Sequence, residues 1–210
     1  MQDPPRAKEA LDRLREGNRR FASNVRSIAS LVSQERRGDL VDQQAPVAIV
    51  LGCSDSRAPA EMVFDQGLGD LFVIRVAGNI VAPSQVGSVE FAAERFGVRL
   101  VVVMGHSRCG AIEATIDAVS NPGEPASRNI LSIVDRIRPA VEPLVVAGLG
   151  ADRVRLARQA VRANVRISVD HLRHGSALLE GLIERDGLIV VGAEYDLETG
   201  LVDFFAGPTV

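Results

Sequence analysis

Pro46-Val47-Ala48-Ile49-Val50-Leu51-Gly52-Cys53-Ser54-Asp55-Ser56-Arg57 is the stretch that decides how the chain is read. An apolar run gives way at once to a thiol, a carboxylate and a guanidinium. A run with no polar alternation suits a strand buried on both faces, as inside a parallel sheet. Reactive side chains at the end of such a strand mark a site, because ligands of open α/β sheets sit beyond the carboxyl ends of the strands. The chain has one other cysteine, Cys109, and it too lies just beyond an apolar run, Arg99-Leu100-Val101-Val102-Val103-Met104.

Working outward, the remaining segments alternate between strand and helix patterns. Leu71 to Val76 reads as a second strand, and Gly187 to Tyr195 as a fourth, with Leu201 to Phe205 beyond the turn at Gly200. Ala60 to Phe64, Pro83 to Phe96 and Cys109 to Val119 carry helical spacing, and Gly97 closes the second of these. Residues 127–185 read as helices interrupted at Pro139, at Pro143 and at Gly148-Leu149-Gly150. Residues 24–45 are polar and read as irregular, and 121–126 as a loop too short to link domains. Ahead of all this, residues 6–22 place Ala10, Leu11, Leu14 and Phe21 on one helical face, which covers either its own domain or another subunit. The expected architecture is α/β: a mainly parallel sheet of about four to five strands flanked by helices. Residues 1–45 form an N-terminal helical arm and lead-in, and 46–210 the core of a single domain.

Composition narrows the functions open to such a domain. A length of 210 residues buries about 70% of the unfolded surface. A net charge of −3 offers no cationic footprint for nucleic acid or an anionic membrane, and the absence of tryptophan disfavours base stacking. The charged N-terminal stretch lacks the apolar core of a secretion signal, so a cytoplasmic location is expected. In that reducing compartment two cysteines read as thiolates or metal ligands before a disulfide.

His106-x-x-Cys109 places an imidazole and a thiol within one turn, a spacing found in zinc sites. Neighbouring strands lie about 4.8 Å apart, so Cys53, His106 and Cys109 can converge on one ion. Three protein ligands leave a fourth tetrahedral position open, the arrangement of catalytic rather than structural zinc. A free carboxylate at Asp55 could block that position. The planar fork of Arg57 can instead hold it in a bidentate pair, leaving it to accept a hydrogen bond from water at the open position. Two thiolates cancel the charge of a zinc ion, so activity is expected to climb toward alkaline pH. Other readings of these residues are a pair of core cysteines, a Cys53–Cys109 disulfide and a surface Asp–Arg pair. His171 and His174 lie in a charged helix and read as a solvated face, which leaves no histidine to shuttle protons.

Cys53-Ser54-Asp55-Ser56-Arg57 and Gly105-His106-Ser107-Arg108-Cys109-Gly110, with His106 standing 53 positions after Cys53, resemble the β-class carbonic anhydrases. The likeness extends from the N-terminal helix through Asp65-Gln66-Gly67-Leu68-Gly69-Asp70, Arg75 and Asn79 to Gly192-Ala193-Glu194-Tyr195-Asp196. It implies one Zn²⁺ per subunit on Cys53, His106 and Cys109, and an Asp55–Arg57 dyad. The implied reaction is the reversible hydration of CO₂ to bicarbonate and a proton, in a homodimer or homotetramer with its sites near the dimer interface. Gln44, Phe72 and Phe91 match substrate-pocket positions of the plant-like subtype, the last holding phenylalanine where that subtype has tyrosine. Gly110 matches the glycine whose N–H faces substrate. Arg75 and Tyr195 match parts of the bicarbonate-switching site of the other subtype, but that site also needs a tryptophan this chain lacks. Competing readings on the same site are hydrolysis of CS₂ or COS, and a non-catalytic zinc protein of structural or regulatory role.

Overall fold

A computed structural model of the chain describes residues 6–27, 34–121 and 127–208. Most of the loop expected at 121–126 lies outside the described residues. The apolar runs become parallel strands: β1 (Ala48–Gly52), β2 (Leu71–Arg75), β3 (Leu100–His106) and β4 (Ile189–Tyr195). A fifth strand, β5 (Val202–Ala206), folds back antiparallel on β4 and closes that edge. The order across the sheet is β2-β1-β3-β4-β5.

All residues of β1 and β3 are buried, so alternate side chains feed two different cores. Val50, Val102 and Met104 pack toward an N-terminal helix, α1 (Ala7–Ala22), and toward a short helix, α3 (Ala60–Val63). Ile49, Leu51, Val101 and Val103 pack on the opposite face. That face is covered by α4 (Pro83–Arg95), α7 (Arg153–His174) and α8 (Ala177–Arg185). A third cluster lies beyond the strand ends. There Ile112 and Ile116 of α5 (Gly110–Ser120) meet Ile137 and Val141 of α6 (Arg128–Val146) around Cys53 and Cys109.

The arm rests on its own chain. Asn18 donates to the carbonyls of Val63 and Gly200 at 3.1 and 2.9 Å, and its own oxygen accepts from the Val202 N–H at 2.8 Å. One residue earlier, Gly17 lets α1 approach so closely that a Cβ there would lie 1.8 Å from the Phe64 carbonyl oxygen.

Two expectations are corrected. Residues 34–39, expected to be irregular, form a short helix, α2 (Gln34–Asp39). The prolines at 139 and 143 do not interrupt the chain: α6 runs through both. A proline inside a helix removes one N–H and frees the carbonyl four residues back. Here Asp135, Pro139 and Pro143 all lie exposed, so the freed carbonyls face water, while Val134, Ile137, Ala140 and Val141 hold the other side of the helix in the core. The helix ends where Gly148 turns left-handed at φ 83°. Among the described residues no helix is long and apolar enough to cross a membrane.

The two helix glycines with opposite surroundings test this packing. Gly17→Ala should destabilise the protein by about 3 kcal/mol, the upper end of overpacking costs. Gly87→Ala in α4, where a Cβ meets nothing within 4 Å, should instead stabilise by up to about 1 kcal/mol. Urea unfolding midpoints read both, and an unchanged midpoint for Gly17→Ala would contradict the docking of α1.

Candidate metal centre and its carboxylate–guanidinium pair

The strand order sets the position of the site. From β1 the chain crosses to β2 on one side and then returns to β3 on the other, so β1 and β3 flank the point where the winding reverses. A crevice opens beyond the carboxyl ends of strands at such a point. Gly52 pairs with Met104 in register, which places Cys53, the residue after β1, beside the end of β3 at Gly105 and His106. Cys109 follows after a tight turn in which Arg108 is left-handed (φ 57°), and it caps the N-terminus of α5.

Cys53, His106 and Cys109 are all buried, and their ligand atoms lie within 4.8 Å of one another. The two sulfurs are 4.0 Å apart and both thiols are free. His106 Nδ1 lies 2.9 Å from the Ser107 carbonyl and donates to it, which leaves the lone pair on Nε2. That Nε2 is buried without a protein partner, one of two such side-chain atoms among the described residues. An orphaned imidazole nitrogen facing two sulfurs is a donor set that fits a tetrahedral N/S metal such as zinc. The two sulfurs shift in opposite directions. The hydrogen bond from Cys109 lowers Cys53 despite burial, with His106 and backbone N–H groups adding to the effect. The same bond, together with burial, pushes Cys109 far up. Burial alone would lower His106, but the closeness of Cys53 and the charge there carry it upward.

Asp55 and Arg57 meet as a bidentate pair. Arg57 Nε reaches Oδ1 at 2.9 Å and Nη2 reaches Oδ2 at 2.8 Å, while the Arg57 backbone N–H also donates to Oδ1 at 2.9 Å. Asp55 Oδ2 is also 3.9 Å from His106 Nε2, so this oxygen borders the cluster. The Arg57 guanidinium holds Asp55 well below the usual carboxylate range. Two supports were not read from the residues. Arg75 donates to the Cys53 carbonyl at 3.0 Å and to the Asp55 carbonyl at 2.6 Å. Arg57 also donates to the Arg108 carbonyl at 3.2 Å, tying the first motif to the second. Arg108 itself pairs with Glu198 at the surface.

Of the remaining candidates, Gly110 opens α5 next to Cys109. Gln44, Phe72 and Phe91 are not brought to this cluster within one chain. Phe72 pairs in register with Ile49, four residues before Cys53, or about 13 Å back along the strand. Phe91 packs on it at 6.2 Å between ring centroids and is half exposed. Gln44 lies exposed ahead of β1 and lines a cavity of about 730 Å³ with Arg26, Arg37 and Glu61. His171 and His174 are exposed at the end of α7.

Comparison with known proteins gives one answer. The family model "Carbonic anhydrase" matches residues 48–202. The chain is 38% identical over 190 residues to a carbonic anhydrase of Mycolicibacterium smegmatis, covering 90% of this chain and 89% of that one. Among solved structures, a Coccomyxa β-carbonic anhydrase in complex with acetazolamide superposes with a TM-score of 0.74 at 26% identity, covering 95% of this chain and 88% of that one. One of two tetrameric β-carbonic anhydrases from Sordaria macrospora shares the fold at a TM-score of 0.74 and 23% identity, over 82% of this chain and 87% of that one.

The ion pair has a pH signature. Because the folded pKa of Asp55 is depressed below 3.8, the pair's contribution to stability is present above that value and is lost as pH falls through the folded pKa. The Asp55 carboxyl ¹³C shift should still be that of an ionised group at pH 3.8, and Arg57→Gln should raise its midpoint toward 3.8. A wild-type midpoint already at that ordinary value would show that Arg57 does not hold the carboxylate.

Proposed function

The chain belongs to the carbonic anhydrase family, in its β class, and on that premise we propose that Cys53, His106 and Cys109 hold one zinc ion per subunit for the reversible hydration of CO₂. The observation that carries this reading is the buried, unpartnered His106 Nε2 facing two sulfurs. Zinc, when bound, supplies Lewis acidity that lowers the pKa of water.

The chain's own groups do the rest. Arg57 engages both oxygens of Asp55, which keeps the carboxylate from turning inward as a further ligand. Oδ1 takes two donors and Oδ2 only one, so the free lone pair is on Oδ2. Oδ2, on the cluster side, accepts a hydrogen bond from the attacking water and orients its remaining lone pair toward CO₂. The depressed pKa of Asp55 keeps it an acceptor across the working range. At the other edge, the N-terminus of α5 at Gly110 presents backbone dipoles that favour the anionic product. The apolar cluster around Cys53 and Cys109 excludes bulk water from the buried side.

Gln44, Phe72 and Phe91 lie too far from their own chain's cluster to line it. We place them at the site of a second copy, in a homodimer or homotetramer. The tetrameric Sordaria relative supports such an assembly. A cytoplasmic setting, which keeps both thiols reduced, completes the proposal.

Asp55→Asn tests the dyad. Stopped-flow CO₂ hydration should fall by about 10²-fold or more while zinc stays bound, and the wild-type rate should climb toward alkaline pH. A wild-type rate in the zinc-loaded variant would refute the role given to Asp55. Sedimentation should give a mass of two or four times the 22.5 kDa chain; a fully active monomer would refute the placement of Gln44, Phe72 and Phe91.

A further inference from the structure

We propose that Asn164 and Ser168 of α7, neither of which touches the metal cluster, are positioning residues for the ligand Cys53. They do so by holding the turn Ala77–Asn79, whose Gly78 N–H donates to the Cys53 sulfur at 3.3 Å. The inference rests on the metal reading above and assigns to α7 a part in tuning the site.

The buried face of α7 is otherwise apolar, with Leu156, Ala160, Val161, Val165, Val169 and Leu172. Asn164 and Ser168, one helical turn apart, are as deeply buried, at 2% and 3% exposure. Burying an amide and a hydroxyl in such a face is costly unless both are hydrogen-bonded. Both are, and to consecutive carbonyls of one turn. Asn164 Nδ2 donates to the Gly78 carbonyl at 2.7 Å, and Ser168 Oγ donates to the Asn79 carbonyl at 3.1 Å.

The turn needs holding. Gly78 and Asn79 are both left-handed, at φ 69° and 43°, and the second is a conformation that side-chain-bearing residues seldom adopt. A turn of this kind can aim a backbone N–H at an anionic group. The Gly78 N–H is so aimed, while the Asn79 N–H closes the turn onto the Val76 carbonyl. Here the anionic partner is the sulfur of Cys53. The turn is closed in from the other side as well, because a Cβ on Gly78 would lie 2.6 Å from Ile137 Cδ1 and 3.1 Å from Ala111 Cβ. Without the α7 clamp, the Gly78 carbonyl would be buried and unpaired. The peptide would then rotate to find another partner, drawing the N–H off the sulfur.

A hydrogen bond to a thiolate withdraws electron density from it, so a metal on that sulfur keeps more of its positive charge. The effect matters most where two thiolates already offset the ion. A purely structural clamp would stabilise the fold and leave the sulfur's electronic state alone. The sulfur-to-metal charge-transfer band of the cobalt-substituted protein separates the two.

Asn164→Leu should bind zinc about 10-fold or more weakly in a chelator competition. In the same variant the cobalt band should move to longer wavelength. Ser168→Ala, a smaller change, should move it the same way and carries the test if Asn164→Leu does not fold. Val169→Ala, on the same face but off the turn, should lower stability and leave the band in place. Wild-type affinity with an unmoved band in folded Asn164→Leu or Ser168→Ala would overturn the inference. So would an equal band shift in Val169→Ala. If the wild-type protein takes up neither zinc nor cobalt, the metal reading fails first, an outcome distinct from failure of the clamp.

Discussion

The parallel pairing of β1 with β3 is the constraint on which the site depends. The three candidate ligands come from the end of one strand and the end and following turn of the other, and nothing local brings them together. The register that sets Gly52 opposite Met104 brings Cys53 Sγ to 4.0 Å from Cys109 Sγ. A slip of one residue would turn each side chain of β1 to the opposite face, exchanging its two cores and dispersing the cluster. The register is therefore enforced by burial on both faces, where Val50 and Val102 fill one core and Leu51 and Val103 the other. Ligand geometry is thus secured by the hydrophobic packing of residues that take no part in the chemistry.

Around that constraint the chain divides its polar work by distance. Asp55 and Arg57 are two residues apart and form their pair from local chain geometry. Arg75 then fixes the backbone that carries them, from the end of the neighbouring strand β2. Arg57 reaches the second motif through the Arg108 carbonyl, so the local pair is also aligned with the loop bearing Cys109. The exposed arginines in this arrangement gain little from Coulomb attraction in water. Their value lies in geometry: two planar forks with defined acceptors hold one carboxylate and three carbonyls in fixed directions.

This division explains what was legible in the residues. β1, β3 and β4 were plain, because strands buried on both faces have nearly continuous apolar runs. The Asp55–Arg57 pair and the His106-x-x-Cys109 spacing were plain because each is local, and their joint meaning came from lying at two strand ends. Pro139 and Pro143 misled, since composition shows a missing N–H but not that the freed carbonyls face water. The α2 helix was missed because it is six residues long and polar, with no apolar period to reveal it. Gln44, Phe72 and Phe91 carried their meaning only through resemblance, and a single chain leaves them away from the cluster.

The Asn164–Gly78 bond was the least legible of all, joining residues 86 apart through a side-chain amide and a backbone carbonyl. Asn164 sits among apolar neighbours on a long helix, where a lone polar residue suggests nothing beyond a core defect. Its partner is a backbone atom, which every residue possesses, so no pairing of side-chain types could have pointed to it. Yet the apolar face of α7 must lie flat on the sheet at Gly105 and Gly192, where an added Cβ would come within 2.7 Å of Val165. That close approach fixes the height of α7 over the strands and brings Asn164 and Ser168 within reach of the turn. The glycines that admit α7 to the sheet are thus also what allows a helix with no metal ligand to act on the sulfur of Cys53.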